Sequence, residues 1–310
     1  MIKHIKIDRF KVNCDNNSCP RRLEQPYYSK SRSSFRFDEF NEKIRENSYE
    51  THGPYISTLG EAHLKVDLFL GKFDGGVKYY FRGQNQACHN VNSRISRCLS
   101  NEEKICDNEN NISNVEIQMV DKFITELKQN VKLKEIIFGN FDLLDESDPS
   151  WFAIVQHYGD LVKFDENRDC STRLIDVTDS LDVAIYFACA DWDSGDVPAQ
   201  KCDGKVFLIP IDFPKADKFK KHKADFKENI FETLYHDNVN YYVEPNLPNT
   251  RIANQKGLFI YTKSIVDSIE MNKGLELLVP YKSKKKLLIE LSERGIDYNY
   301  ITGLFKTDSE

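Results

Sequence analysis

Four clusters of polar residues interrupt apolar or aromatic stretches of the chain, and each carries groups suited to a ligand. The first, Phe81-Arg82-Gly83-Gln84, ends the aromatic run Val77–Phe81. An arginine followed by glycine can set a planar five-donor fork where the backbone allows a ligand to come close, a good arrangement for phosphate or carboxylate. The same arginine would serve equally well in an internal ion pair. The second, Gln156-His157-Tyr158-Gly159, follows the apolar run Trp151–Val155. Its imidazole can titrate near neutral pH or orient a substrate hydroxyl, or can be a hydrogen-bonded core group.

The third cluster, Thr172-Arg173-Leu174-Ile175-Asp176-Val177-Thr178, is more specific, because polar residues punctuate what reads as a buried strand. Period two sets Arg173, Ile175 and Val177 on one face and Thr172, Leu174, Asp176 and Thr178 on the other. Asp176 and Thr178 then share a face just before a helix N-terminus, where anions are favoured. The alternative is a buried arginine–aspartate pair that fixes the sheet, since buried charges must be paired. The fourth, Asn249 to Phe259, joins Arg251, the amides Asn254 and Gln255, and Gly257 in a turn that enters a strand, either lining a pocket or satisfying loop backbone.

Other chemistries find less support. Cys14 and Cys19 have a C-x4-C spacing, but no second close Cys/His pair supplies the four ligands of a structural zinc site, so no metal is expected. Cys88 and His89 are adjacent, and on a strand adjacent side chains point to opposite faces, which argues against an activated thiolate. The 43 Lys plus Arg are outnumbered by 49 Asp plus Glu, giving a net charge of -6. That balance makes a general nucleic-acid binder unlikely by charge, because phosphate neutralisation needs a clustered cationic surface. The N-terminal Met1–Asp8 alternates apolar and charged residues instead of forming the continuous apolar core of a signal peptide, and no window reaches 18 uncharged apolar residues. The expectation is a cytoplasmic protein that does not enter a membrane, with its eight cysteines as reduced thiols.

The elements that must position these clusters follow from hydrophobic period. Residues 1–30 are turn-rich, and Phe35–Tyr49 and Ile56–Phe73 have helical patterns, so residues 1–74 read as an irregular leader with a helical layer. Val77–Gln84 reads as a strand after the turn Asp74-Gly75-Gly76. Ile117, Val120, Ile124, Leu127 and Val131 predict one amphipathic helix over about 114–134. A strand at 172–178 leads into a buried helix from Leu181 capped by Thr178, Asp179 or Ser180. Strands are expected at 204–212, 241–243 and 258–262, solvated helix at 215–228 and an amphipathic helix at 284–293. Strands and helices alternate at uneven intervals. Residues 75–310 therefore read as one α+β domain, a mixed, mostly antiparallel sheet flanked by helices.

Taken together, Phe81-Arg82-Gly83-Gln84, Arg94-Ile95-Ser96-Arg97, the helix with Glu116 and Phe123, the QHYG of 156–159, TRLIDVT with its helix, and RIANQKGLF resemble the FRG domain family in order and register. One departure is the insertion Asp160–Ser171 between the His-Tyr-Gly and Thr-Arg-Leu motifs. Its polar, charged sequence suggests an exposed excursion at the rim of the site. A more remote likeness is to Arg-Ser-Glu type ADP-ribosyltransferases, which implies a related sheet arrangement. In that family the arginine grips NAD phosphates or ribose, the hydroxyl shapes the nicotinamide pocket, and a late glutamate assists transfer. Arg82 and Thr178 match by motif and order, whereas Gln255 stands in the region of the late glutamate.

The resulting expectation is a protein that binds NAD or a similar nucleotide and cleaves or transfers ADP-ribose to a macromolecular acceptor. Asp176, Gln255 and His157 are the catalytic candidates, Asp176 as the carboxylate that stabilises a ribosyl cation. Arg82, Gln84, Arg173, Thr178 and Arg251 are the nucleotide-binding candidates. Two alternatives stand beside it: a non-catalytic nucleotide- or protein-binding sensor, and a nucleic-acid-processing protein using Arg94, Arg97 and the lysines of 282–286.

Overall fold

A computed structural model describes residues 55–71, 78–87, 91, 93, 95, 109–139, 142–144, 150–166, 168–191, 195–199, 202–211, 241–244, 250–262 and 275–303. In chain order the elements are helix α1 (Leu59–Leu70), strand β1 (Lys78–Gln84), helices α2 (Glu109–Gln129), α3 (Val131–Phe138) and α4 (Ser150–Tyr158), strand β2 (Leu174–Thr178) and helix α5 (Leu181–Cys189). Strands β3 (Ala190–Asp191), β4 (Gly195–Pro198), β5 (Gly204–Ile211) and β6 (Tyr241–Val243) follow, then helix α6 (Thr250–Asn254), strands β7 (Gly257–Tyr261) and β8 (Leu275–Val279), and helices α7 (Tyr281–Glu293) and α8 (Tyr298–Thr302). The fold is α+β, as the uneven alternation predicts. The predicted helix at 35–49, the leader 1–30, the stretch 215–228, Cys14, Cys19, the Cys88–His89 pair, Arg94 and Arg97 lie outside the described residues.

Chain contacts divide the described residues into two interleaved units, one drawn from 1–90, 180–210 and 271–310 and the other from 91–179 and 211–270. Each has its own apolar core.

In the first unit β1, β5 and β8 lie side by side, with β5 antiparallel to β8. Helix α1 starts where Thr58 accepts a hydrogen bond from the Glu61 N–H at 3.1 Å, and its Leu59, Ala62, Val66 and Phe69 recur at helical spacing and are buried. Of the three predicted caps for α5, Ser180 is the one used, accepting from the Val183 N–H at 3.4 Å. Helix α5 is apolar almost all round and is buried from Leu181 to Cys189 apart from Asp182 and Phe187. Burial drives the Cys189 thiol up to about 12, against the opposing pull of Lys284. Three lysines of this unit are also buried, and each has an acceptor. Lys65 donates to the Tyr55 carbonyl and pairs with Glu61 at 2.9 Å, Lys284 donates to the Asn85 carbonyl at 2.7 Å, and Lys205 pairs with Glu276 at 3.1 Å.

The close approach of β1 to α5 explains Gly83. A Cβ at this position would lie 1.8 Å from the Ala184 carbonyl oxygen and 2.9 Å from the Ala188 nitrogen. The glycine after Arg82 thus admits the helix backbone, whereas the sequence suggested that it would admit a ligand. Phe81 shares that face and enters the core, so alternation directs Arg82, with Tyr80 and Gln84, to the opposite face.

In the second unit β6, β7 and β2 lie side by side, all antiparallel, with Asp176 opposite Phe259 and Thr178 opposite Gly257. The single helix predicted over 114–134 is two helices. Asn130 takes an extended conformation and its side chain accepts from the Leu133 N–H at 3.1 Å, capping α3. Asparagine competes with helix by bonding local backbone, and the apolar spacing alone hides the break. Val120, Ile124 and Leu127 are buried as predicted, but Val131, first in α3, is 80% exposed. The apolar run before the QHYG motif is helix α4, a core element whose Trp151 and Phe152 are buried and pack against Phe138 and Tyr261. Helix α6 and strand β8 were not anticipated. The first occupies what reads as a turn, and the second is a short apolar run flanked by unrelated signals.

Candidate functional site

The second unit gathers polar groups around Asp176. Strand β2 is buried at every position but this one, so Asp176 is the point at which the strand reaches the surface. Helix α4 ends beside it. Gln156 donates from Nε2 to Asp176 Oδ2 at 3.0 Å and accepts at Oε1 from the Thr172 hydroxyl at 2.9 Å. Thr172 lies just before β2, and its side chain is on the same side as Asp176, since both bond Gln156.

His157 follows on α4 and is partly exposed, with its ring edge-to-face on Phe259 at 5.3 Å between centroids. Burial drives the imidazole pKa down to about 4. The Asp176 carboxylate opposes this shift and the Arg251 cation adds to it. His157 is therefore uncharged at neutral pH, able to donate at one nitrogen and accept at the other. Arg251, on α6, reaches back to α4: Nη1 donates to the His157 carbonyl at 3.5 Å, and the guanidinium lies 5.5 Å from the Tyr158 ring centroid. It remains partly exposed. A carboxylate, a neutral imidazole and a guanidinium thus stand together, a set that can accept from hydroxyls, bond either way and hold an anion.

Three other candidates form the frame of this site. The Thr178 hydroxyl donates to the Gln255 carbonyl at 2.7 Å, and both side chains are buried, 5% and 6% exposed. The bond ties the end of β2 to the turn after α6, where Lys256 adopts a positive φ of 46°. Arg173 is turned away from the surface. Its Nε donates to Glu116 Oε2 and its backbone N–H to Glu116 Oε1, both at 2.6 Å, and the two side chains are 4% and 0% exposed. The buried pair allowed by the sequence is present, but the partner is Glu116 of α2 rather than Asp176. With its charge spent there, Arg173 holds β2 to α2 and is not offered to a ligand.

Arg82 and Gln84 belong to the first unit, on β1, Arg82 partly exposed and Gln84 buried. Asp160–Ser171 is only in part the exposed excursion expected. It folds back as a small hairpin: Lys163 bridges Asp169, the Cys170 N–H donates to the Val162 carbonyl at 3.0 Å and the Phe164 N–H to the Arg168 carbonyl at 2.8 Å. Glu166 is exposed, but Val162, Cys170 and Ser171 are buried, because the apolar residues at the hairpin's base join the core. Gly159 permits the return, since a Cβ there would meet the Cys170 carbonyl oxygen at 2.0 Å. Gln156 and Thr172 were given no functional role by the sequence. The available signal was their position, one beside His157 in QHYG and the other on the strand face of Asp176.

The low His157 pKa has a consequence for stability. An unfolded histidine titrates near 6.5, so between pH 6.5 and about 4 the unfolded chain binds a proton that the folded chain refuses, and stability falls as pH falls. The loss from this group is about 2 kcal/mol at pH 5. His157→Phe keeps an aromatic ring against Phe259 and should remove this component. Melting curves at pH 7 and pH 5 check it: the variant should lose less stability on acidification than the parent, and equal losses would show that the imidazole does not resist protonation.

Among the described residues no helix is long and apolar enough to cross a membrane. No curated protein and no solved structure matches the chain significantly. One family model does match, over a stretch that contains Arg82, Gln84, His157, Arg173, Asp176 and Thr178 and leaves Arg251 and Gln255 beyond its end. From the arginine–glycine strand through the buried helix after β2, residues 77–196 match the FRG domain.

Proposed function

We propose that this FRG domain-containing protein binds a nucleotide such as NAD and cleaves or transfers at its ribosyl bond, with Asp176, His157 and Arg251 carrying the chemistry. The observation behind this reading is the meeting of a surface-reaching carboxylate, an uncharged imidazole and a cation at the end of α4 and the middle of β2. The motif order shared with ADP-ribosyltransferases supports the same substrate class. Arg251 would hold phosphate and His157 a ribose hydroxyl. When the bond between nicotinamide and ribose C1′ breaks, its electron pair passes to the pyridinium nitrogen, leaving neutral nicotinamide and an oxocarbenium-like ribosyl centre. The Asp176 carboxylate stabilises that charge, as carboxylates do in glycoside cleavage. Water or an acceptor nucleophile then bonds to C1′ and gives up its proton. Thr178 and Gln255 hold the turn that follows α6, the helix of Arg251, and Arg173 holds the strand. Arg82 and Gln84 belong to the first unit and are given no part in this site.

Nicotinamide release from NAD by the purified full-length chain is the direct measurement. Asp176→Asn should lower the rate at least about a hundredfold with NAD binding largely kept, and Arg251→Ala should chiefly weaken binding. Binding without release would favour the sensor reading. Absence of both binding and release would end the nucleotide assignment.

A further inference from the structure

The hydrogen bonds behind Asp176 run in one direction. The Leu174 N–H donates to Thr172 Oγ1 at 3.4 Å, the Thr172 hydroxyl donates to Gln156 Oε1 at 2.9 Å, and Gln156 Nε2 donates to Asp176 Oδ2 at 3.0 Å. Each donor points toward the carboxylate. Turning the Gln156 amide over would set its oxygen against Oδ2, two acceptors 3.0 Å apart, so the amide has one sense only. Thr172 is fully buried and Gln156 is 8% exposed, whereas Asp176 reaches the surface. A carboxylate used only for packing would be buried with its partners, and one used only for solvation would need no two-step buried support. An oriented chain that ends in a single accessible oxygen-bearing group is the arrangement that fixes a reacting group in place.

The geometry points to Gln156 as the positioning residue of the site, with Thr172 anchoring its amide oxygen so that the Asp176 carboxylate meets a ribosyl ligand in one orientation. This inference rests on the nucleotide reading above for its ligand. The relay itself stands on the hydrogen bonds among Thr172, Gln156 and Asp176. Gln156 acts through Asp176 and does not itself react.

Three variants of the full chain test it. Thr172→Val removes the hydroxyl at nearly constant volume, Thr172→Ser restores it, and Gln156→Glu replaces the amide donor by a second carboxylate. In folded Thr172→Val the rate constant for nicotinamide release should fall about tenfold to a hundredfold with the KM for NAD little changed, and Thr172→Ser should recover it. Gln156→Glu should be impaired at neutral pH and regain activity as pH falls, because protonating one of two facing carboxyls restores a donor between them. A folded Thr172→Val with the parent rate, or a Gln156→Glu pH profile that follows the parent, would overturn the proposal.

Solvent exchange of the Gln156 side-chain amide protons, followed by nitrogen-15 NMR without ligand, judges the relay apart from the nucleotide reading. Slow exchange in the parent and in Thr172→Ser, with faster exchange in Thr172→Val, is the expected pattern. Equal exchange in all three would end the relay. Should the parent fail to bind NAD while the exchange pattern holds, the nucleotide reading falls and the oriented carboxylate remains.

Discussion

Gly83→Ala should cost more than about 3 kcal/mol, above the usual range for overpacking, and should leave little folded protein at 37 °C. The added Cβ would lie 1.8 Å from the Ala184 carbonyl oxygen, 2.8 Å from its carbon and 2.9 Å from the Ala188 nitrogen. All three atoms are backbone of α5, so no side chain can swing away to relieve the clash. The helix itself would have to move, and it is buried along most of its length against the first unit's core. Gly204 on the neighbouring strand meets the same helix, with its Cβ position 2.0 Å from the Ala188 carbonyl oxygen, so the sheet approaches α5 closely at two glycines. Gly60→Ala is the control. It lies in α1 with no atom within 4 Å of its Cβ position, and alanine there should be neutral or slightly stabilising. Chemical denaturation of the two variants beside the parent gives the comparison. A Gly83→Ala protein with the parent's midpoint would mean that β1 and α5 are not packed this closely.

The second large effect is expected at Glu116. Its carboxylate satisfies both the guanidinium and the backbone N–H of Arg173 at 2.6 Å, with both side chains essentially out of solvent. Glu116→Ala leaves a buried cation and a buried N–H without that acceptor and should cost about 3–5 kcal/mol. Arg173→Met should be similarly harmful alone, because it strands the carboxylate. The double variant Glu116→Leu with Arg173→Met should be more stable than either single variant, since no charge is then left unpaired. A double-mutant cycle in urea measures this. Additive losses would show that the pair is not coupled.

Both effects bear on how far the chain could be read from its residues. The faces of β2 followed from period two alone: Thr172, Asp176 and Thr178 do share one side, and the helix after them does begin at one of the three predicted caps. The FRG assignment also came from motifs quoted in order, and residues 77–196 bear it out. Strands β1, β5, β6 and β7 and helices α1, α5 and α7 lie close to where hydrophobic period puts them. These are short-range properties, in which each residue's preference depends on neighbours within a few positions.

The identity of partners was not legible in that way. A buried arginine announces that it needs a counter-charge, but it does not say which one. The choice of Glu116, 57 positions away, depends on how α2 is laid against β2. The same holds for Thr178, whose hydroxyl is spent on a carbonyl 77 positions on, and for Gly83, whose missing side chain serves a helix and not a ligand. Asn130 breaks a helix that apolar spacing continues, because a capping side chain outweighs a pattern that remains in phase across the break. By itself the sequence determined the local elements, the domain family and which residues share a face. Only tertiary structure decided which polar groups are buried in pairs and which, like Asp176, are partnered yet reach the surface, because desolvation and pairing are settled by contacts between distant parts of the chain.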